Sequence, residues 1–255
     1  MLNLLRSDFY RLFKTKSFYI CAAIEVALFI LNALILNWAA TLTSEDGAVY
    51  QSMLPDGGLD FASSVFSGNI QLLIGIIIAI FVTAEFSHGT MKNSVSKGFL
   101  RWKIYASKGI SMLAAAYLLI FVTFIIGAGV GAVLFGGMGV FTADLFKKIG
   151  IELLLYAALV SFFLLISMVI RNLGGVLAIN ILGVLTVEPL IYQIIELINK
   201  GKIEFSKYSL VNNINFYNSS AAGGDDYLRS AVVALVYLAI TLILGLLAFR
   251  KADIK

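Results

Sequence analysis

Six stretches of this chain stay apolar for about 20 residues or more, the length a helix needs to cross the hydrocarbon core of a bilayer. They lie at about residues 18–41, 63–84, 106–135, 151–170, 174–198 and 230–249. Inside lipid every backbone N–H and C=O must find a partner within the protein, and a helix satisfies them within one segment. The runs therefore predict an all-α polytopic membrane protein with six transmembrane helices, forming a single domain over residues 1–255. Composition agrees: 60% of the 255 residues are hydrophobic and only 13% are charged, where a soluble domain has about a quarter charged. The first run is longer than the roughly 7–15 residues of a cleavable signal and is read as a retained helix. The fifth contains Asn180, Glu188 and Pro189; proline lacks an N–H, so this helix is expected to be kinked or broken.

Six crossings place both termini on one side. With the termini in the cytoplasm, thirteen of the nineteen Lys and Arg residues fall in cytoplasmic segments and six outside. The first outer loop, TSEDGAVYQSMLPDGG, carries none. Cations accumulate on the cytoplasmic side of membrane proteins, so both termini are assigned to the cytoplasm. The net charge of +4 is spread over short loops beside apolar runs. It reports topology and does not point to nucleic acid.

The chemistry of soluble enzymes is missing from the sequence. There is no GxxxxGK[ST] loop, so the chain carries no P-loop of its own. A single histidine, His88, excludes an HExxH zinc site, and no GxSxG elbow occurs. A single cysteine, Cys21, excludes an internal disulfide and a multi-cysteine metal site, and is expected to pack as a small hydrophobe. No catalytic or metal-binding residue is assigned. Charged groups inside the membrane are costly and are candidates for function. Glu25 and Glu188 are the clear cases, with Glu152 and Glu196 near helix ends. Glu25, Asn180 and Glu188 are the candidate lining of a substrate path. Gly127 and Gly131 form a GxxxG pair, which lets helices approach closely, either within one bundle or at a dimer face. Outer segment 199–229 is too long for a simple turn and is expected to hold short re-entrant or interfacial helices. Its NSS at 218–220 matches a glycosylation acceptor, a common tripeptide that carries little weight.

Two segments outside the apolar runs have helical patterning. In residues 2–16, Leu2, Leu5, Phe9, Leu12 and Phe13 follow helical spacing with Arg6, Asp8, Arg11 and Lys14 interleaved. A basic amphipathic helix of this kind, over residues 1–17, fits the membrane interface or a partner protein. The second segment joins runs two and three. After Glu85 come His88, Gly89, Thr90, Lys92, Lys97, Gly98, Arg101, Lys103 and Lys108. Gly89 and Gly98 bracket TMKNSVSK, in which Thr90 can cap a short helix and Met91, Val95 and Phe99 form an apolar stripe. The pattern fits a short amphipathic helix and equally a solvated basic loop.

The order Glu85, Gly89, Thr90, Lys92, Gly98, Arg101, Lys108 resembles the stretch after the second span in permeases of the ABC type-2 exporter superfamily. The ending FRKADIK, the basic N-terminus, the six spans and the long last outer loop also resemble that family. The resemblance implies a membrane-spanning permease subunit in a bacterial plasma membrane. It would pair with two copies of a separate ABC ATP-binding subunit and with a second permease, the same or a homologous chain. ATP and Mg would be bound on the partner, none directly by this chain. The loop after span two would be a cytoplasmic coupling helix, with Glu85, His88, Gly89, Thr90, Met91, Lys92, Val95 and Arg101 transmitting the motion. The cargo implied is hydrophobic or amphipathic, with an antimicrobial or toxin peptide the first choice. Two other readings stay open on the residues: an ion- or proton-coupled carrier using Glu25 and Glu188, and a membrane protein that confers immunity by binding a peptide without transporting it.

Overall fold

A computed structural model of the chain describes residues 1–42, 54–66, 69–199, 204–219 and 224–251. Residues 43–53 of the loop between the first two spans, 200–203, the side chains of the NSS tripeptide and the ADIK ending lie outside the described residues. Every regular element among the described residues is a helix. Six of them are long and apolar enough to cross a membrane, so the chain is an all-α membrane protein.

A first helix, α1 (Leu2–Lys14), is separated by Thr15 alone from the first span, α2 (Lys16–Ala39). A short helix, α3 (Gly58–Ser63), and a 3-10 turn at Ser64–Phe66 come before the second span, α4 (Asn69–Ser87). Next is α5 (Thr90–Ser96), then the third and fourth spans, α6 (Arg101–Leu134) and α7 (Ala143–Ile170). The fifth span runs as α8 (Leu173–Ala178), a π-helical stretch at Ile179–Val187, and α9 (Glu188–Ile198). A 3-10 turn at Phe205–Tyr208 and α10 (Leu210–Ser219) lead to the last span, α11 (Gly224–Lys251).

The spans divide into inner and outer helices. Most of the apolar stretch of α4 (67%) and of α7 (56%) is buried in the bundle, against 17% of α2 and 22% of the fifth span. Leu155, Tyr156, Leu159, Phe163 and Leu164 of α7 are wholly enclosed and form the centre of the core. The outer spans turn Ile24, Leu31, Ile35, Ile191 and Ile194 outward, which is the solvation that lipid provides.

Two expected boundaries shift for clear reasons. Hydropathy predicts one helix from residue 63 for the second run. In the structure Phe61, Val65 and Phe66 are buried, but they belong to α3 and the following turn. There the Ser63 and Ser64 hydroxyls donate to the carbonyls of Asp60 and Phe61 at the end of α3. Hydropathy registers burial and does not register the break. The third span begins at Arg101, earlier than the expected 106, and so carries Arg101, Lys103 and Lys108 on its first turns. The fifth span is not simply broken at Pro189. The helix widens before it, and a π stretch absorbs the carbonyls that the proline ring displaces and cannot satisfy.

The GxxxG pair is used within the chain. A Cβ on Gly127 would stand 2.4 Å from the Phe29 ring of α2, and one on Gly131 would stand 2.9 Å from Gly58 Cα of α3. This face of α6 is therefore closed by α2 and α3 of the same chain.

Candidate functional site

The segment from Glu85 to Lys108 lies at the end of the bundle that carries both α1 and the close of α11. Gly89 at φ +67° reverses the chain after α4, and Gly98 at φ +79° releases it from α5 toward α6. Both angles are left-handed, where glycine has no steric penalty. Thr90 does not cap α5 with its side chain. Its hydroxyl turns back and donates to the Glu85 carbonyl at 3.1 Å, satisfying an acceptor that the end of α4 leaves free. His88 is exposed, and its Nδ1 donates to the Ala84 carbonyl at 2.6 Å.

Glu85 is buried rather than presented to solvent. Its carboxylate takes the Lys108 ammonium of α6 and, at 2.8 Å, Nη1 of Arg11 of α1. Lys108 also bonds Asp8 of α1, whose other oxygen accepts from the Ser107 hydroxyl at 2.6 Å. Arg11 and Lys108 both sit over the Phe81 ring, at 5.6 and 5.5 Å. Two carboxylates and two cations thus close a neutral cluster joining α1, α4 and α6, with Thr90 of α5 within 3.5 Å of Arg11. Burying such charges is tolerable only because each has a partner and added hydrogen bonds.

The same end is tied at two further points. Arg101 Nη1 donates to the carbonyls of Phe249 and Arg250 at 3.2 and 2.8 Å, closing the end of α11. Arg171, in the turn between the fourth and fifth spans, lies over the Phe86 ring at 5.3 Å.

Among the expected site residues, Glu85, Thr90 and Met91 face inward and Val95 is half-buried against the core. The stripe of Met91, Val95 and Phe99 packs on the protein's own bundle, not on an external surface. Lys92, Asn93 and Ser96 of α5 and Lys97 at its end are exposed, as are Leu100 and Trp102 just beyond it. Asp8, Ser107 and the inward turn of Arg11 are additions that the sequence reading did not place in the site. The available signal was Asp8 itself, the only acidic residue in an otherwise basic helix.

The intramembrane candidates separate. Glu188 is fully engaged: it accepts from the Ser209 hydroxyl (2.7 Å), the Leu210 N–H (3.0 Å) and the Tyr237 hydroxyl (2.9 Å). It anchors the start of α10, whose Leu210, Val211 and Ile214 are buried in the bundle. The short helices expected in the long outer segment are therefore present, and they fold back onto the spans. Asn180 donates to the Gly75 carbonyl at 3.2 Å, joining the fifth span to the second, while its Oδ1 has no partner. Glu25 is buried with Oε2 unpaired, and Glu152 is wholly buried with neither oxygen paired. Asn180 and Glu188 bond to different elements, and neither they nor Glu25 bond to one another among the described residues. No group of three or more His, Cys, Asp or Glu suited to a metal occurs among the described residues.

No curated protein matches this chain. A family described as "Protein of unknown function (DUF2705)" matches residues 29–255. That match takes in all of α3 to α11 and the second half of the first span from Phe29 on, and the chain therefore belongs to this family.

Proposed function

We propose that this chain is the membrane-spanning permease subunit of an ATP-driven exporter, with both termini in the cytoplasm and ATP hydrolysed by a separate subunit. The observation that carries the reading is the mounting of α5. One side of this short helix is held by buried Met91 and by Thr90, beside an ion cluster shared by α1, α4 and α6, while Lys92, Asn93, Ser96 and Lys97 remain exposed. A force applied to the exposed side is passed to three elements at once. In this reading Glu85, Gly89, Thr90, Met91 and Val95 hold the coupling helix in place, and Arg101 links it to α11. Contact with the ATPase falls to His88, Lys92, Asn93, Ser96 and Lys97, with Leu100 and Trp102 beside them. The basic face suits a groove with an acidic rim. Two permeases and two ATP-binding subunits make the working unit in a bacterial plasma membrane. The cargo is an apolar or amphipathic molecule, with an antimicrobial or toxin peptide the first choice.

One observation favours a second reading, an ion-coupled carrier. Glu152 and Glu25 are buried in the membrane interior with unpaired carboxylate oxygens, the kind of group that marks ion pathways. Glu188, engaged by three donors, no longer supports that reading. Transport in vesicles reconstituted with the chain and its ATP-binding partner separates the two. Strict dependence on ATP, with export abolished by the charge reversal Lys92→Glu, is expected of the permease. Flux without ATP that Glu152→Gln abolishes would replace it with the carrier.

A further inference from the structure

Two short helices, far apart in sequence, face each other across a polar cavity at the termini-bearing end of the bundle. α1 supplies Asn3, Ser7 and Arg11 to its wall, and α5 with the residue that closes it supplies Asn93, Ser94 and Lys97. Asn3, Ser7 and Arg11 recur every four residues, and Lys97 stands three residues after Ser94 and four after Asn93, so each set lies on one side of its helix. The floor is the buried cluster of Asp8, Glu85 and Lys108. The cavity has a volume of about 440 Å³, within the roughly 300–1,000 Å³ of small-ligand sites.

The charge of this lining is not balanced. Arg11, Lys97 and Lys108 face Asp8 and Glu85, which leaves one positive charge. Both carboxylates are already bound to Lys108, Arg11 or Ser107, so neither is free to take a cation. What remains available is donors. Asn3, Ser7, Asn93 and Lys97 make no side-chain hydrogen bond or ion pair among the described residues. Arg11 uses only Nη1 and is 32% exposed along its side chain. A ring of unused N–H and O–H donors around a single positive charge fits a tetrahedral oxyanion.

The surroundings of the cavity suit the border of a membrane. Tyr10 and Phe13 of α1 and Trp102 at the start of α6 are exposed beside it, and aromatic rings of this kind settle at the level of lipid headgroups. Basic pockets between helices at that level are sites for anionic headgroups. We propose that this cavity binds a phosphate group, carried by an anionic phospholipid or free in solution. The proposal does not depend on the exporter reading, because it requires only that α1 and α5 lie at the membrane surface.

The test is native mass spectrometry of the full chain in detergent, titrated with phosphatidylglycerol, phosphatidylcholine and inorganic phosphate. Lys97→Gln changes an exposed residue of the cavity wall, and Lys92→Gln an exposed residue of α5 outside it. One saturable phosphatidylglycerol site is expected, stronger than for phosphatidylcholine. It should weaken about fivefold in Lys97→Gln and stay unchanged in Lys92→Gln. Competition by inorganic phosphate, with the same sensitivity to Lys97→Gln, would add free phosphate as a source. Failure to compete would make the lipid the ligand. Equal binding of the two lipids, or equal effects of the two substitutions, would overturn the proposal.

Discussion

Lys108 bonds two buried carboxylates from two different helices, and this makes it the residue that the termini-bearing end of the bundle can least lose. Removing one member of a buried ion cluster leaves its partners charged and unpaired, which costs about 3–5 kcal/mol. Lys108→Met is therefore expected to lower the thermal midpoint of the purified chain sharply. Arg11→Gln should lower it far less, because Arg11 is partly solvated and Glu85 keeps Lys108. Equal midpoints for the two variants would contradict this account of the cluster. The sequence showed Glu85 and Lys108 as polar residues at helix ends, but not that they meet, because their spacing across a turn and a short helix does not fix a contact. Asp8 was harder to place. It sits in a helix whose periodicity suggested an outward polar face, and only packing against α6 turns it inward. Among the intramembrane acids, residue type alone could not separate Glu188, which holds a helix, from Glu152, whose carboxylate has no hydrogen-bond partner among the described residues.

At the level of elements, the six spans were legible because each must be long and apolar, and both properties are read directly from sequence. Their ends were less legible. Val65 and Phe66 prolong the apolar run of the second span although they belong to the 3-10 turn that follows α3. Arg101 to Lys108 look like loop by charge but form the first turns of α6, because Lys108 is neutralised and Arg101 is spent on α11. The folding-back of α10 could be anticipated only as a long outer segment. Its anchor is Glu188, whose carboxylate holds Ser209 and the Leu210 N–H. Glu188→Ala removes that anchor without touching α10 itself. Amide hydrogen exchange over residues 205–216 should then speed markedly, while exchange in α5 stays as in the parent chain. Unchanged protection of 205–216 would mean that burial of Leu210, Val211 and Ile214 is sufficient to hold the helix.

For the whole molecule, the inner pair α4 and α7 and the outer α2 and fifth span describe a bundle that shows apolar helices to lipid and buries an ion cluster at its termini-bearing end. That end holds α1, α5, the start of α6 and the close of α11, joined by Glu85, Lys108, Asp8 and Arg101. The proposed function assigns this end to the cytoplasm and makes it the place where an ATPase pushes. Its substrate path stays a proposal resting on Glu25 and Asn180, which the bundle buries in different surroundings. The most direct measurement is site-specific photo-crosslinking in cells, with a photoreactive residue placed at Lys92 or Ser96 on the exposed side of α5 and, as control, at lipid-facing Leu235 of α11. The account expects an ATP-binding protein to be captured from positions 92 and 96 and not from 235. Absence of any ATP-binding protein at both α5 positions, in cells where the chain is functional, would contradict it.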